Sequence, residues 1–253
     1  MSAGKKIAVA GATGRVGHHV VDLLTERGHN VVRMSRDHGV DVITGEGLAD
    51  SLAGVECIVD ATSGPSPEQQ AATEFFTTAA RNLQEAGRSA GVERIVVVSI
   101  IGTDRLKGGY GVAKVAHEQA TLSGPIPARV LRAAQFHEFV EQLVQWGTQG
   151  DASRVPKMRT QLVAARTVAE ALADLAADPE SAPGPTLEVA GPREESLVEM
   201  ANLLVAQRGN SLRVEAASDP VDGDVYESGA LLPGPHATLG GPTFEEWLES
   251  VSR

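Results

Sequence analysis

Ile7-Ala8-Val9-Ala10-Gly11-Ala12-Thr13-Gly14-Arg15-Val16-Gly17-His18-His19-Val20-Val21 is the stretch that decides how this chain is read. Ile7 to Ala10 is an apolar run of strand length, and Val16, Val20, Val21 and Leu24 then recur at helical spacing. Gly11, Gly14 and Gly17 stand between the two. Glycines at these spacings let the backbone turn tightly and approach a pyrophosphate, while the helix start aims free N–H groups at the anion. A glycine pattern alone is common. With a strand before it and a helix after it, it marks a dinucleotide-binding βαβ unit.

The alternation continues outward from that turn. Val31 to Ser35 reads as a second strand, ended by the polar turn Arg36-Asp37-His38-Gly39, and Val40 to Ile43 as a short third. Cys57 to Ala61 is a fourth and Arg94 to Ser99 a fifth. The helix between these last two presents Ala72, Phe75, Phe76, Ala79, Leu83 and Ala86 as its apolar face, either to the core or to a second copy of the chain, so monomer and homodimer both stay open. A helix over about Tyr110 to Leu122 precedes a sixth strand, Ala128 to Arg132. Strands alternating with helices pair in parallel through right-handed crossovers, so the fold class is α/β, a Rossmann-type doubly wound parallel sheet.

Beyond residue 150 the pattern loosens. Helices are expected at 167–178 and 196–208, and strands at 186–190 and 211–216. Ser196 with Glu199, and Thr243 with Glu246, have the spacing of capping boxes. The last helix is expected to bury Phe244, Trp247, Leu248 and Val251. The domain reading is an NAD(P)-binding domain over 1–150 and a small C-terminal lobe over 151–253, packed over the cofactor site within the same structural unit.

Composition excludes several classes. The chain has 253 residues with 42% apolar content, enough for one substantial core. A net charge of -11 without a basic stripe argues against nucleic acid as a partner. Apolar runs such as Ile95 to Val98 fall far short of the roughly 18 residues of a membrane span, and no signal peptide is evident. Cys57, alone in the chain, cannot form an intramolecular disulfide and reads as a small buried hydrophobe in a reducing compartment. These features set the expectation of a cytoplasmic protein with a small-molecule substrate. No His/Cys/Asp/Glu group has metal-ligand spacing, and no Gly-x-Ser-x-Gly elbow occurs.

The expected cofactor contacts are Gly11, Thr13, Gly14, Arg15, Val16 and Gly17 for the diphosphate, then Ser35 and Arg36 after the second strand. An acidic residue there would accept from a ribose 2′-OH, whereas a guanidinium favours a 2′-phosphate. Ser35 and Arg36 precede Asp37, so NADPH is expected over NADH. Arg33 points to the opposite face from Met34, and His18 and His19 read as surface or packing residues. Gly45 and the segment from Asp60 through Ala61, Thr62 and Ser63 to Pro65 are placed beside adenine and the second ribose, with Asp60 open to a turn role instead.

With those motifs in view, the chain resembles an atypical short-chain dehydrogenase/reductase of the NmrA-like, NAD(P)-binding group. The likeness rests on the Gly11–Gly17 turn, Val96-Val97-Val98-Ser99-Ile100-Ile101-Gly102 and Tyr110-Gly111-Val112-Ala113-Lys114. Leu131-Arg132-Ala133-Ala134-Gln135-Phe136 and Leu187-Glu188-Val189-Ala190-Gly191-Pro192 extend it along nearly the whole chain. The resemblance implies a catalytic trio of Ser99, Tyr110 and Lys114, with Lys114 also touching the cofactor. An ordinary tyrosine has a pKa of about 10, and an ammonium one turn away would lower it. Ser99 would then polarise a substrate carbonyl. The resemblance also puts Phe136, His137 and Phe139 in the substrate cleft, with His137 either donating to a substrate oxygen or satisfied within a helix start.

The reading that follows is an NADPH-dependent oxidoreductase reducing a carbonyl, enone or quinone of a small, mostly apolar molecule. The alternative is a non-enzymatic NAD(P)(H)-binding redox sensor. A sugar-nucleotide epimerase or dehydratase ranks third, because such proteins look longer.

Overall fold

The structure is a computed structural model that describes residues 4–178, 184–209 and 211–251. Its first elements are β1 (Lys6–Ala10), α1 (Gly17–Glu26), β2 (Asn30–Met34), α2 (Leu48–Leu52), β3 (Cys57–Asp60), α3 (Gln69–Ala90), β4 (Arg94–Ile100), α4 (Gly109–Leu122) and β5 (Ala128–Ala133). Then come α5 (His137–Gly147), β6 (Thr148–Gln149), β7 (Ala152–Pro156), β8 (Arg159–Thr160), α6 (Ala165–Ala177), β9 (Thr186–Ala190), β10 (Glu195–Ser196), α7 (Leu197–Gln207), β11 (Arg213–Ala217), α8 (Gly223–Ser228), β12 (Thr238–Leu239) and α9 (Phe244–Val251). The main sheet has seven strands in the order β12-β9-β5-β4-β3-β1-β2. β1 pairs in parallel with both β2 and β3, and β3 in parallel with β4. β3 is buried along its whole length, as a parallel strand covered on both faces must be.

The chain runs from β1 to β2, then crosses back past β1 to β3. That reversal is a topological switch point, and open α/β sheets bind ligands at such a point, outside the carboxyl ends of the strands. Here the ends meeting at the crevice are Ala10–Gly11 and Asp60–Ala61, and the Ala61 amide donates to the Ala10 carbonyl at 3.0 Å.

One expected strand does not form. Residues 40–43 make a turn, so β2 is the sheet edge. The cause is Asp41, whose Oδ1 accepts from the amides of Ile43 at 2.7 Å and Thr44 at 3.4 Å, closing a local turn where a ladder would have needed those groups. Asn82 on α3 seals the segment by donating to the carbonyls of Val42 and Ile43, both at 2.8 Å.

The chain divides into two compact units that interleave along the sequence rather than parting at one cut near residue 150. The first comprises Met1–Ser99, Gly109–Arg132 and Val168–Leu187; the second comprises Ile100–Gly108, Ala133–Thr167 and Glu188–Arg253. In the first, Ala8, Ala10, Met34, Leu48, Leu52, Ile58, Leu83 and Ile95 form one core cluster. On α3 the buried residues are Ala72, Phe76, Ala79, Ala80, Leu83, Gln84 and Gly87. The expected face is thus turned slightly, and Phe75 and Ala86 are only half-buried.

In the second unit, Val140, Val155, Leu162, Leu197, Leu204, Phe244 and Leu248 form the core. Thr243 and Glu246 make the expected reciprocal cap, Thr243 N to Glu246 Oε2 at 2.8 Å and Glu246 N to Thr243 Oγ1 at 3.3 Å. Ser196 occupies its N-cap position without a side-chain cap bond. α9 buries Phe244 and Leu248, but Trp247 is half-buried and Val251 is exposed.

Candidate functional site

The turn after β1 is held by the neighbouring strand: the amides of Gly11 and Ala12 both donate to the Met34 carbonyl, at 3.0 and 3.3 Å. Gly11 has φ of +74°, and a Cβ there would lie 2.6 Å from the Ala61 oxygen. At Gly17 a Cβ would fall 2.1 Å from the Gly11 oxygen, so this glycine lets α1 pack against the turn. Gly14 differs. Its φ is not in the left-handed region, and its missing Cβ would meet only the Gly11 oxygen, at 3.1 Å. Gly11 and Gly17 are therefore required by the fold, whereas a side chain at Gly14 would crowd only the Gly11 oxygen.

The start of α1 agrees. It has no side-chain cap and no acidic residue in its first turn. α3 shows the opposite arrangement, with the Glu68 carboxylate accepting from the amides of Gln70 and Ala71 at 3.0 and 2.8 Å. A helix start lacking a negative group of its own is suited to an external anion. Thr13 and Arg15 are exposed, and Val16 is buried. Ser35 Oγ is engaged with His38 Nδ1 at 2.7 Å, while Arg36 is exposed at the start of a short 3-10 turn over Arg36–His38.

At the end of β3 the structure departs from a simple row of cofactor contacts. Ala61 and Thr62 are buried and Ser63 is exposed. Thr62 donates through both its amide and its hydroxyl to Asp60 Oδ1, at 3.0 and 2.7 Å. Asp60 itself is 1% exposed, and its Oδ2 lies 2.9 Å from His117 Nε2. On the other side of that ring, His117 Nδ1 is 2.8 Å from Lys114 Nζ, which also donates to the Val98 carbonyl at 2.8 Å. The result is a buried chain, Asp60–His117–Lys114, drawn from β3 and α4.

The neighbours assign the tautomer. A carboxylate only accepts and an ammonium only donates, so Nε2 carries the proton to Asp60 and Nδ1 accepts from Lys114. Burial, then the adjacent ammonium, holds His117 below its ordinary value and therefore neutral. Burial alone would raise the Asp60 carboxyl, but His117 and the two Thr62 hydrogen bonds outweigh it and hold it well below the usual carboxylate range. Burial pulls Lys114 down to about 8, against the opposing pull of Asp60 and Glu118. Glu118 is in turn clasped by Arg132, with contacts of 3.0 and 2.8 Å.

Phe76 is the hub of this region. Its ring stacks on His117 at 4.6 Å, lies 4.4 Å from Lys114 Nζ, and takes the edge of Tyr110 at 5.5 Å. Tyr110 is half-buried, and burial pushes its phenol up to about 12 despite a backbone hydrogen bond from Gly64. The expected activation of Tyr110 by Lys114 is not how the phenol is set: burial, Gly64 and the Asp60 charge govern it. Ser99, at 3% exposure, has its hydroxyl buried without a hydrogen-bond partner in the described residues.

Phe136, His137 and Phe139 belong to the second unit. Phe136 and Phe139 are half-buried, the latter edge-on to Trp146 at 5.9 Å. His137 is fully buried, with Nε2 on the Pro242 carbonyl at 3.0 Å and its ring beside Phe244 and Trp247. Burial lowers it to about 4. A neutral ring whose single N–H is already donated has no second proton to offer; its partner lies just before α9 rather than within its own helix start, and Nδ1 has none among the described residues. Cys57 is buried, as expected.

The comparisons with known proteins place these features. The family model described as NAD(P)H-binding matches residues 11–179. The chain belongs to this NAD(P)H-binding family. Its central sheet is Rossmann-like. A curated relative from a Streptomyces species, a 3-diazoavenalumate denitrifying reductase, is 34% identical over 118 residues; that match covers 38% of each chain. Among solved structures, TunA, an NAD-dependent NDP-hexosamine 5,6-dehydratase, aligns over 98% of both chains at 16% identity and a TM-score of 0.71. The UDP-N-acetylglucosamine 4-epimerase from Bacillus cereus aligns over 98% of this chain and 95% of that one, at 20% identity and a TM-score of 0.68. These likenesses show the fold. No described helix is long and apolar enough to cross a membrane.

Proposed function

We propose that the protein is an NADPH-dependent reductase of a carbonyl, enone or quinone in a small, mostly apolar molecule. The Gly11–Gly17 turn, with its spare glycine at Gly14 and the open start of α1, fits a dinucleotide diphosphate. Arg36, exposed beyond β2, is suited to a 2′-phosphate. The bound dinucleotide supplies the hydride. Ser99 would direct its unpartnered hydroxyl to the substrate oxygen, and Lys114 would offer its remaining ammonium proton to the nicotinamide ribose.

The observation that carries the reading is the buried Ser99 hydroxyl on β4, which has no hydrogen-bond partner among the described residues. The raised Tyr110 phenol stays protonated at neutral pH, the form that can donate to a developing alkoxide. Following loss of reduced-nicotinamide absorbance across a panel of quinones, enones and ketones tests this. Turnover is expected with at least one class, and Tyr110→Phe should lower kcat by about 10²–10⁴-fold with little change in dinucleotide affinity.

One observation favours the sensor reading: Lys114 is committed to Val98 and His117 rather than to the tyrosine. That reading expects dinucleotide binding without turnover, and indifference to Tyr110→Phe.

A further inference from the structure

α4 carries a polar stripe on its buried side, made of Lys114, His117, Glu118 and Thr121 at i, i+3, i+4 and i+7. Glu118 is answered by Arg132, and Thr121 Oγ1 donates to the His117 carbonyl at 2.9 Å. Lys114 and His117 are answered by Asp60, which is joined to the lysine by hydrogen bonds through the imidazole. This arrangement goes beyond the Ser-Tyr-Lys pattern, which has no place for either Asp60 or His117.

We propose that His117 is a positioning residue that couples Asp60 to Lys114, fixing the direction and charge of the Lys114 ammonium at the end of β4. The proposal rests on the reading that Lys114 serves the bound dinucleotide. Two of the three ammonium protons are taken, one by Val98 O and one by His117 Nδ1, which leaves the lysine a single direction in which to meet a ribose hydroxyl. Without the ring, a primary amine this deeply buried keeps one backbone acceptor and the face of Phe76. The groups that face Lys114 are Asp60 from β3, His117 and Glu118 from α4, and the ring of Phe76 from α3; they set its charge together.

The imidazole is asked only to accept at one end and donate at the other. A glutamine side chain has both functions and does not titrate. A phenylalanine preserves the stack on Phe76 and has neither. The experiment therefore compares wild type, His117→Gln, His117→Phe and Asp60→Asn. In the first arm, the Lys114 ammonium is titrated by NMR in ¹⁵N-lysine-labelled protein without dinucleotide, its signal assigned by its loss in Lys114→Met. His117→Gln should keep the wild-type midpoint. His117→Phe and Asp60→Asn should each move it down by ~1–2 pH units, because a hydrogen bond or charge that stabilises the ammonium is gone. In the second arm, NADPH affinity is measured across the same pH range by fluorescence quenching, and should fall at the same midpoint in each protein.

A midpoint in His117→Phe equal to that of wild type overturns the proposal. So does a His117→Gln midpoint displaced as far as that of His117→Phe, since the ring would then matter for something other than its two hydrogen bonds. If the phenylalanine variant does not fold, His117→Leu takes its place, since Asp60 also acts on the Lys114 charge directly and its loss does not isolate the ring. Midpoints that move as expected while NADPH affinity ignores pH support the coupling and overturn the reading of Lys114 on which it rests.

Discussion

α1 and α4 both border the candidate site, and they do so in opposite ways. α1 buries an ordinary apolar face, Val20, Val21, Leu23 and Leu24, and presents its function at its end, through backbone amides and an absent side chain at Gly14. α4 presents its function on its buried side, through Lys114 and His117, which depend on Asp60 and Val98 from two other elements. The first arrangement is local and carried by the backbone. The second is assembled from distant side chains, and each member is costly to bury without the others.

The largest expected effect separates the two on stability. Asp60→Ala removes the acceptor of His117 Nε2 and of both Thr62 donors, and leaves the Lys114 charge without its counterpart. Urea unfolding should show a loss of about 3–5 kcal/mol. A loss below about 1 kcal/mol would mean the buried chain is not held together as described. Gly14→Val should do the reverse: a smaller stability loss, about 1–2 kcal/mol, because its Cβ would press on the Gly11 oxygen, and dinucleotide affinity down by roughly 100-fold. If that variant binds normally, the glycine is not kept for a ligand.

The two buried histidines sharpen the same contrast. His117 is satisfied at both nitrogens, whereas His137 Nδ1 is buried without a partner in the described residues. The His137 value of about 4 lies below the ordinary 6.5, so between those pH values the unfolded chain takes up a proton that the folded chain refuses. Its contribution to stability is full above 6.5 and is lost as pH falls towards 4, on the order of 2–3 kcal/mol. His137→Gln should lack that part of the acid decline in a urea series across the window; identical slopes would contradict the assignment.

The smallest effect concerns helix starts. Glu68→Ala should lower the urea midpoint slightly by removing the cap of α3, while leaving dinucleotide affinity untouched. Any change in affinity would show that the two helix ends are not independent.

This contrast also explains what could be read in the chain before folding. The strand, glycine turn and first helix are specified by neighbours in sequence, so spacing alone located them. The turn at 40–43 was missed because apolar periodicity ignores what one carboxylate, Asp41, can do to the amides of Ile43 and Thr44. His117 was missed because its partners lie in β3 and in the preceding turn of α4. The signal was nonetheless there: Lys114, His117, Glu118 and Thr121 occupy the spacing normally held by apolar residues, and a polar stripe on a helix that must be buried calls for partners elsewhere. Asp60 was open between ligand and turn, and the structure gives it the turn with Thr62 and a second task with His117. The two roles left open for His137 could not be separated by sequence, because position after a strand says nothing about whether an N–H is already spent on Pro242.

The most direct test is calorimetric titration of NADPH and NADH into wild type and Gly14→Val. Micromolar binding to wild type, tighter for NADPH and strongly weakened in the variant, is the result expected. Absence of heat from either dinucleotide at millimolar concentration, in folded wild-type protein, would contradict the account of the Gly11–Gly17 turn on which the rest is built.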